Sequence, residues 1–164
     1  TALPGVLRDL GVRVLLDAPC GDFNWMQQVD LGDTIYIGID IVQPLIATLH
    51  DTWTTPTRTF LHRDITTDEL PRSDLWLCRD CVQHLSFAEI RAILRQASDR
   101  TRYFAATNFP GVENRDIATG EFRALNLCAP PFLLPAPLRR LHDTVEGVER
   151  DLSIWPQAAL RDVP

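Results

Sequence analysis

Residues 12–26 read VRVLLDAPCGDFNWM, and this stretch sets the fold class. Residues 12–17 are a β-branched and leucine run too short for a helix, the pattern of a strand buried on both faces of a parallel sheet. The run ends at Asp17 in a tight turn, where Gly21 lets a ligand approach the backbone. Runs of the same kind recur at 34–40, 58–63, 73–78 and 102–107. Between them lie helical patterns at 42–53 and 86–98, the second opened by the capping box Ser86-Phe-Ala-Glu89. A short helix at 2–10, closed by Gly11, precedes the first strand. Strands alternating with helices predict an α/β, doubly wound sheet joined by right-handed crossovers.

The helical period is lost after Asn108, where five of the twelve prolines fall between Pro110 and Pro137. A long ordered loop is expected over 108–137. Strand character returns at 138–144 and 151–155, joined by the Val-Glu-Gly-Val turn at 145–148, which predicts a C-terminal antiparallel hairpin at the sheet edge. The total is seven strands in a single domain spanning 1–164, with frayed residues at 161–164. The 164 residues are enough for one hydrophobic core without disulfides.

Composition narrows the chemistry. All 16 basic residues are arginine, so Schiff bases, pyridoxal phosphate attachment and phosphate-loop lysines are excluded. A net charge of −6 and a pI near 5.1 give no field for nucleic acid or an anionic membrane. The charges Arg8, Asp9 and Arg13 break any signal peptide, and no apolar run reaches ~18 residues, so a soluble cytoplasmic protein is expected. The chain begins at Thr1 rather than Met, which leaves a preceding segment an open expectation, and no oligomeric state is read from it.

Ligands of an open parallel sheet sit outside the carboxyl ends of its strands, at the point where the strand order reverses. Here the expected strands end in or are followed by acids: Asp17, Asp40, Arg63-Asp64 and Arg79-Asp80. Asp40 lies nineteen residues past Gly21, where a carboxylate can accept bonds from two ribose hydroxyls. Each acid alone also suits a turn or helix cap, but four together favour a site.

On these residues the chain resembles the class I S-adenosylmethionine-dependent methyltransferases. The likeness spans nearly the whole chain. The segments DAPCGDFNWM at 17–26, YIGIDI at 36–41, LCRDCVQHLS at 77–86 and NRDIATGEFRALNL at 114–127 are similar to a small bacterial subset of that family. The resemblance implies a Rossmann-like sheet and S-adenosylmethionine as cofactor. It implies Asp17 and Gly21 beside the methionine moiety, Asp40 on the ribose, Asp64 on the adenine amino group and Ile65 against the ring. Pro19, Trp25, Ile41 and Arg79 are expected in the same donor site. The turn departs from the usual Gly-x-Gly-x-Gly, because Pro19 and Phe23 flank Gly21. A dinucleotide needs those glycines so that its pyrophosphate can reach a helix N-terminus, whereas a methyl donor without pyrophosphate does not, so the turn argues against NAD.

The expected activity is O-methylation of a small polar acceptor, a saccharide, with His84 as general base and Asp80 next in line. Two rivals stand: a catalytically silent S-adenosylmethionine-binding regulatory module, and an amino-group methyltransferase. Asn108, Asn114, Arg115, Asp116, Arg123 and Asn126, interleaved with Phe109, Phe122 and Phe132, mark the long loop as the acceptor site, since amides and carboxylates suit a polyol. His50, His62 and His142 read as exposed or structural. Cys78 and Cys81 read as a buried reduced pair, because Cys20 and Cys128 supply no second pair for zinc. A divalent metal orienting vicinal hydroxyls fits the place of Asp80, but no second placed carboxylate supports one, and no metal ligand is assigned.

Overall fold

The computed structural model describes residues 2–143 and 149–161. In chain order the elements are α1 (Leu3–Asp9), β1 (Val14–Asp17), β2 (Ile35–Asp40), α2 (Gln43–Trp53), β3 (Arg58–His62), β4 (Ser73–Cys78), α3 (Phe87–Arg100), β5 (Thr101–Asn108), β6 (Arg139–His142) and β7 (Asp151–Pro156). Single 3₁₀ turns at Met26–Gln28, Val82–His84 and Gln157–Leu160 complete them. The seven strands form one sheet in the order β3-β2-β1-β4-β5-β7-β6. The first five pair in parallel, and β7 is antiparallel to both β5 and β6. This is the doubly wound sheet with a C-terminal antiparallel hairpin that the sequence predicts.

Alternation along the strands divides the core in two. Leu15, Leu75, Leu77 and Ala105 face one way and pack under α1 and α2 through Leu3, Leu7, Ile46 and Leu49. Leu16, Trp76, Phe104 and Ala106 face the other way, against Ile90, Ile93, Leu94 and Ala97 of α3. The long loop joins this second layer, because Leu125, Leu127, Phe132 and Leu134 are buried in the same cluster. Its apolar side chains therefore fill the space a further helix would cover, which is why a Pro-rich segment is ordered. Ser86 and Glu89 form the expected capping box, a motif whose loss costs about 1 kcal/mol. Gly38 permits close packing across β2 and β3, since a Cβ there would lie 2.7 Å from the Phe60 ring.

The expected boundaries shift where local bonds compete with the ladder. β1 starts at Val14 rather than 12, because the Val12 amide closes α1 on the Leu7 carbonyl and the Arg13 and Val14 amides donate to Asp74. β5 runs on to Asn108 because Asn108 pairs with Asp151 of β7. The hairpin enters the sheet through its second strand, so β6 forms the edge, and it ends at His142 rather than 144. The expected turn at 145–148 and the frayed residues 162–164 lie outside the described residues. Among the described residues no helix is long and apolar enough to cross a membrane.

Candidate functional site

The sheet order reverses between β1 and β4, and a cavity of about 240 Å³ opens there at the carboxyl ends of the strands. Asp17, Gly21, Asp40, Arg79 and Asp80 stand on its wall, with Pro19 and Trp25 beside them. Seven of the expected site residues are thus brought together from three segments of the chain, the turn after β1, the end of β2 and the end of β4. Cys20, Asp22 and Met26 line the same cavity and carry no sequence signal of their own. A larger cavity of about 480 Å³ lies at the opposite edge, beside Arg13 and Ile35 where β1 and β2 begin, away from the strand ends that collect the acids.

Each acid is held differently. Asp17 closes β1, almost fully buried, and accepts the Tyr36 hydroxyl at 2.7 Å. Burial pushes its carboxyl up to about 7, against the lowering pull of the Tyr36 bond and the Arg79 charge. Asp40 closes β2 and accepts the Gly21 amide on Oδ2 at 3.1 Å and the Val42 amide on Oδ1 at 3.0 Å. Each of its oxygens keeps acceptor capacity for a ligand hydroxyl. Burial raises the Cys20 thiol far above its usual range, with the Asp17 and Asp40 charges adding to the effect, so it is neutral.

The turn tolerates Phe23 in place of a glycine through packing. Phe23 has φ +61° and is buried against Tyr36, Trp53 and Phe60, with ring centroids 5.2–5.6 Å away. A left-handed residue of this kind costs roughly 1–2 kcal/mol, which burial of an aromatic ring offsets. Gly21 itself is left-handed at φ +54°.

Arg79 and Asp80 belong to an ion-pair cluster the sequence does not reveal. Arg79 pairs with Asp80 and with Asp143, each at 3.1 Å, and its guanidinium lies 5.0 Å from the Trp25 ring centroid. Arg150 grips both oxygens of Asp80 and meets Asp143 at 3.0 Å. Gln83 adds a further bond to Asp80 at 3.1 Å. Both oxygens of Asp80 are thus engaged by Arg150, and Oδ1 is shared with Gln83.

Several expected residues are placed elsewhere. Ile65 is buried in the core beneath α3 and does not offer a face to a ring. Asp64 accepts the Thr66 amide and hydroxyl at 2.8 and 2.6 Å; burial works against its ionisation, yet these bonds and one from Thr67 hold it below the usual carboxylate range. Ile41 is 60% exposed just past Asp40, and neither it nor Asp64 is on the cavity wall.

His84 lies in the 3₁₀ turn after β4, its Nδ1 3.1 Å from the Glu121 carbonyl and its ring 5.5 Å from that of Phe122, also off the wall. The polar loop residues serve the loop. Asn114 donates to the carbonyls of Asn126 and Pro130 and accepts the Asn126 amide, all at 2.8 Å. Asn108 accepts the Leu127 amide, Asn126 the Cys128 amide, and Asp116 the Phe87 amide. Arg123 is buried over the Phe87 ring and bonds the Gln83 carbonyl. Arg115 and Asp116 are left exposed, whereas Asn108, Asn114, Arg123 and Asn126 are engaged within the loop or by its neighbours. Cys78 and Cys81 are buried free thiols, and no group of three or more metal-ligating side chains occurs among the described residues.

No protein-family model matches the chain, and no curated protein matches it. Solved structures do. The 1,6-didemethyltoxoflavin-N1-methyltransferase of Burkholderia thailandensis, with its acceptor and S-adenosylhomocysteine bound, matches over 93% of this chain and 75% of its own at 18% identity and a TM-score of 0.68. The fold is that of the S-adenosylmethionine-dependent methyltransferases. The mitomycin 7-O-methyltransferase MmcR matches 89% of this chain and 49% of its own at 14% identity, with a TM-score of 0.68. Human N-acetylserotonin methyltransferase, in complex with S-adenosylmethionine, matches 90% and 48% at 11% identity, with a TM-score of 0.63. The chain spans about half the length of these last two methyltransferases.

Proposed function

We propose that the chain is an S-adenosylmethionine-dependent methyltransferase that methylates a hydroxyl of a small-molecule acceptor. The observation that carries this reading is Asp40, a buried carboxylate at the switch-point cavity with acceptor capacity left on both oxygens. The residues present fit a methyl donor in charge as well. On the wall, Asp80 is compensated by Arg79 and Arg150 and burial pushes Asp17 up to about 7, which leaves Asp40 and Asp22 to favour a cationic ligand over a pyrophosphate. When bound, S-adenosylmethionine supplies an electrophilic methyl carbon and leaves as a neutral thioether.

The chain's own residues bind and orient. Asp40 receives the two ribose hydroxyls, Gly21 brings the backbone close, and Asp17 faces the ammonium. With the donor bound, these residues would hold its methyl carbon in line with the acceptor oxygen, and the hydroxyl proton would leave to solvent. Trp25 and Arg79 border the cavity where the acceptor must approach. The saccharide expected from the loop gains no support from Asn114 and Asn126, whose amides bond the loop's own backbone.

Calorimetry with S-adenosylhomocysteine tests the donor site. Asp40→Ala, checked for folding by circular dichroism, should weaken binding by ~2 kcal/mol or more, the scale of lost charged hydrogen bonds. Unchanged affinity in the folded variant refutes the assignment. A thermal shift with NAD and none with S-adenosylhomocysteine refutes the cofactor class.

A further inference from the structure

Trp25 and Arg79 stand on two cavities at once. They line the switch-point cavity and also a second one, of about 420 Å³, between the start of α1 and the β6–β7 hairpin, where Leu3, Leu141 and Leu152 lie opposite. The shared wall is the Arg79 guanidinium stacked over the Trp25 ring, 5.0 Å from its centroid. Both residues come from connecting segments, Trp25 at the entry to a 3₁₀ turn and Arg79 one residue past β4. A long side chain on a connection keeps one geometry only where its donors are engaged, because ordering it costs rotamer entropy.

The Arg79 donors are engaged by two carboxylates. Nη1 meets Asp80 Oδ2 and Nη2 donates to Asp143 Oδ1, each at 3.1 Å. Two anions around one cation repel each other, and a second cation relieves them. That cation is Arg150, whose side chain is only 11% exposed. It grips both oxygens of Asp80, meets Asp143 Oδ2 at 3.0 Å and donates from Nε to the Asp143 carbonyl at 2.8 Å. Asp80 is held from its own side as well. Its φ is +54°, a conformation a non-glycine residue keeps only when its surroundings enforce it, and its amide donates to the Thr107 hydroxyl at 2.8 Å. Arg150 thus touches both anions that hold Arg79, yet it lines neither cavity.

We propose that Arg150 is a positioning residue for the donor site. It acts through Asp80 and Asp143 to hold Arg79 against Trp25, and so fixes one wall of the donor cavity from the hairpin. The inference rests on the donor reading of that cavity. The rival role is a plain staple between hairpin and sheet, which would serve stability alone.

Calorimetry with S-adenosylhomocysteine separates the two, since this ligand is net neutral without the sulfonium and reports the shape of the wall more than its charge. The full chain is compared with Arg150→Met, Arg150→Lys, Arg79→Met and the double variant Arg79→Met/Arg150→Met, each checked for folding by circular dichroism. Arg150→Met should weaken binding about fivefold or more, and Arg150→Lys, which restores the charge without the fork, should recover part of the loss. In the Arg79→Met background, Arg150→Met should change affinity less than about twofold, because the residue it positions is gone. If Arg150→Met does not fold, Asp143→Asn takes its place in the same cycle, with the same outcomes expected. A lowered urea midpoint with wild-type affinity in the folded variant overturns the positioning role, and so does an equal loss with and without Arg79. Failure of S-adenosylhomocysteine to bind the wild type overturns the donor reading and this inference with it, whereas wild-type binding that is indifferent to Arg150 overturns the inference alone.

Discussion

Replacing Asp17 by Asn removes a carboxyl that burial has pushed up from 3.8 to about 7, while keeping an oxygen to accept the Tyr36 hydroxyl. Loss of water is the largest influence, opposed by the Tyr36 bond and by the Arg79 charge. Because the folded value stands above the unfolded one, the folded state holds a proton that the unfolded chain releases. Wild-type stability therefore falls as pH rises between about 4 and 7, and then levels off. One pH unit well inside that window corresponds to ~1.4 kcal/mol and the slope halves near pH 7, so from about pH 5 to about pH 7 the wild type should lose roughly 2 kcal/mol relative to Asp17→Asn. Urea denaturation of both proteins across this range measures the difference directly. A difference that stays flat with pH, or that shrinks as pH rises, refutes the burial argument. The same carboxyl should release a proton when a cationic donor binds, so the calorimetric enthalpy near neutral pH should vary with the ionisation heat of the buffer.

The remaining expectations concern the loop and its neighbours. Asn114→Ala removes three 2.8 Å bonds that close the loop, and at ~1 kcal/mol each it should cost about 2–3 kcal/mol in denaturant titrations. Arg123→Ala deletes a buried guanidinium packed on Phe87, so the variant should be cleaved early within 108–137 by limited proteolysis even without an acceptor. Wild-type protease resistance with a raised acceptor KM would return Arg123 to acceptor binding. His84→Ala should keep kcat within about threefold and loosen 119–123, since the imidazole serves the Glu121 carbonyl; a fall of ~10²–10⁴ with donor affinity intact would restore it as general base.

The sequence by itself determined the parallel strands, the acids at their ends and the capping box, because each is written in contiguous residues. A buried strand is a short apolar run, a strand end is the polar residue that follows it, and a cap is a fixed four-residue pattern. Asp17, Gly21 and Asp40 were legible for that reason, and the structure brings them to one cavity. The role of the loop was not legible, because its amides are the same residue types whether they bind an acceptor or brace their own backbone. Only burial and partners distinguish the two, as at Asn114 and Arg123. The Arg79–Asp80–Asp143–Arg150 cluster had no local signal either. Its members come from the end of β4 and from the hairpin, more than 60 residues apart, and meet because β7 pairs with β5. The second cavity depends on the same pairing, which carries Leu141 and Leu152 toward Leu3 and Trp25. Charge and hydrophobicity are properties of single residues and can be read in order, whereas a cavity is a relation between surfaces that exists only once the chain has folded.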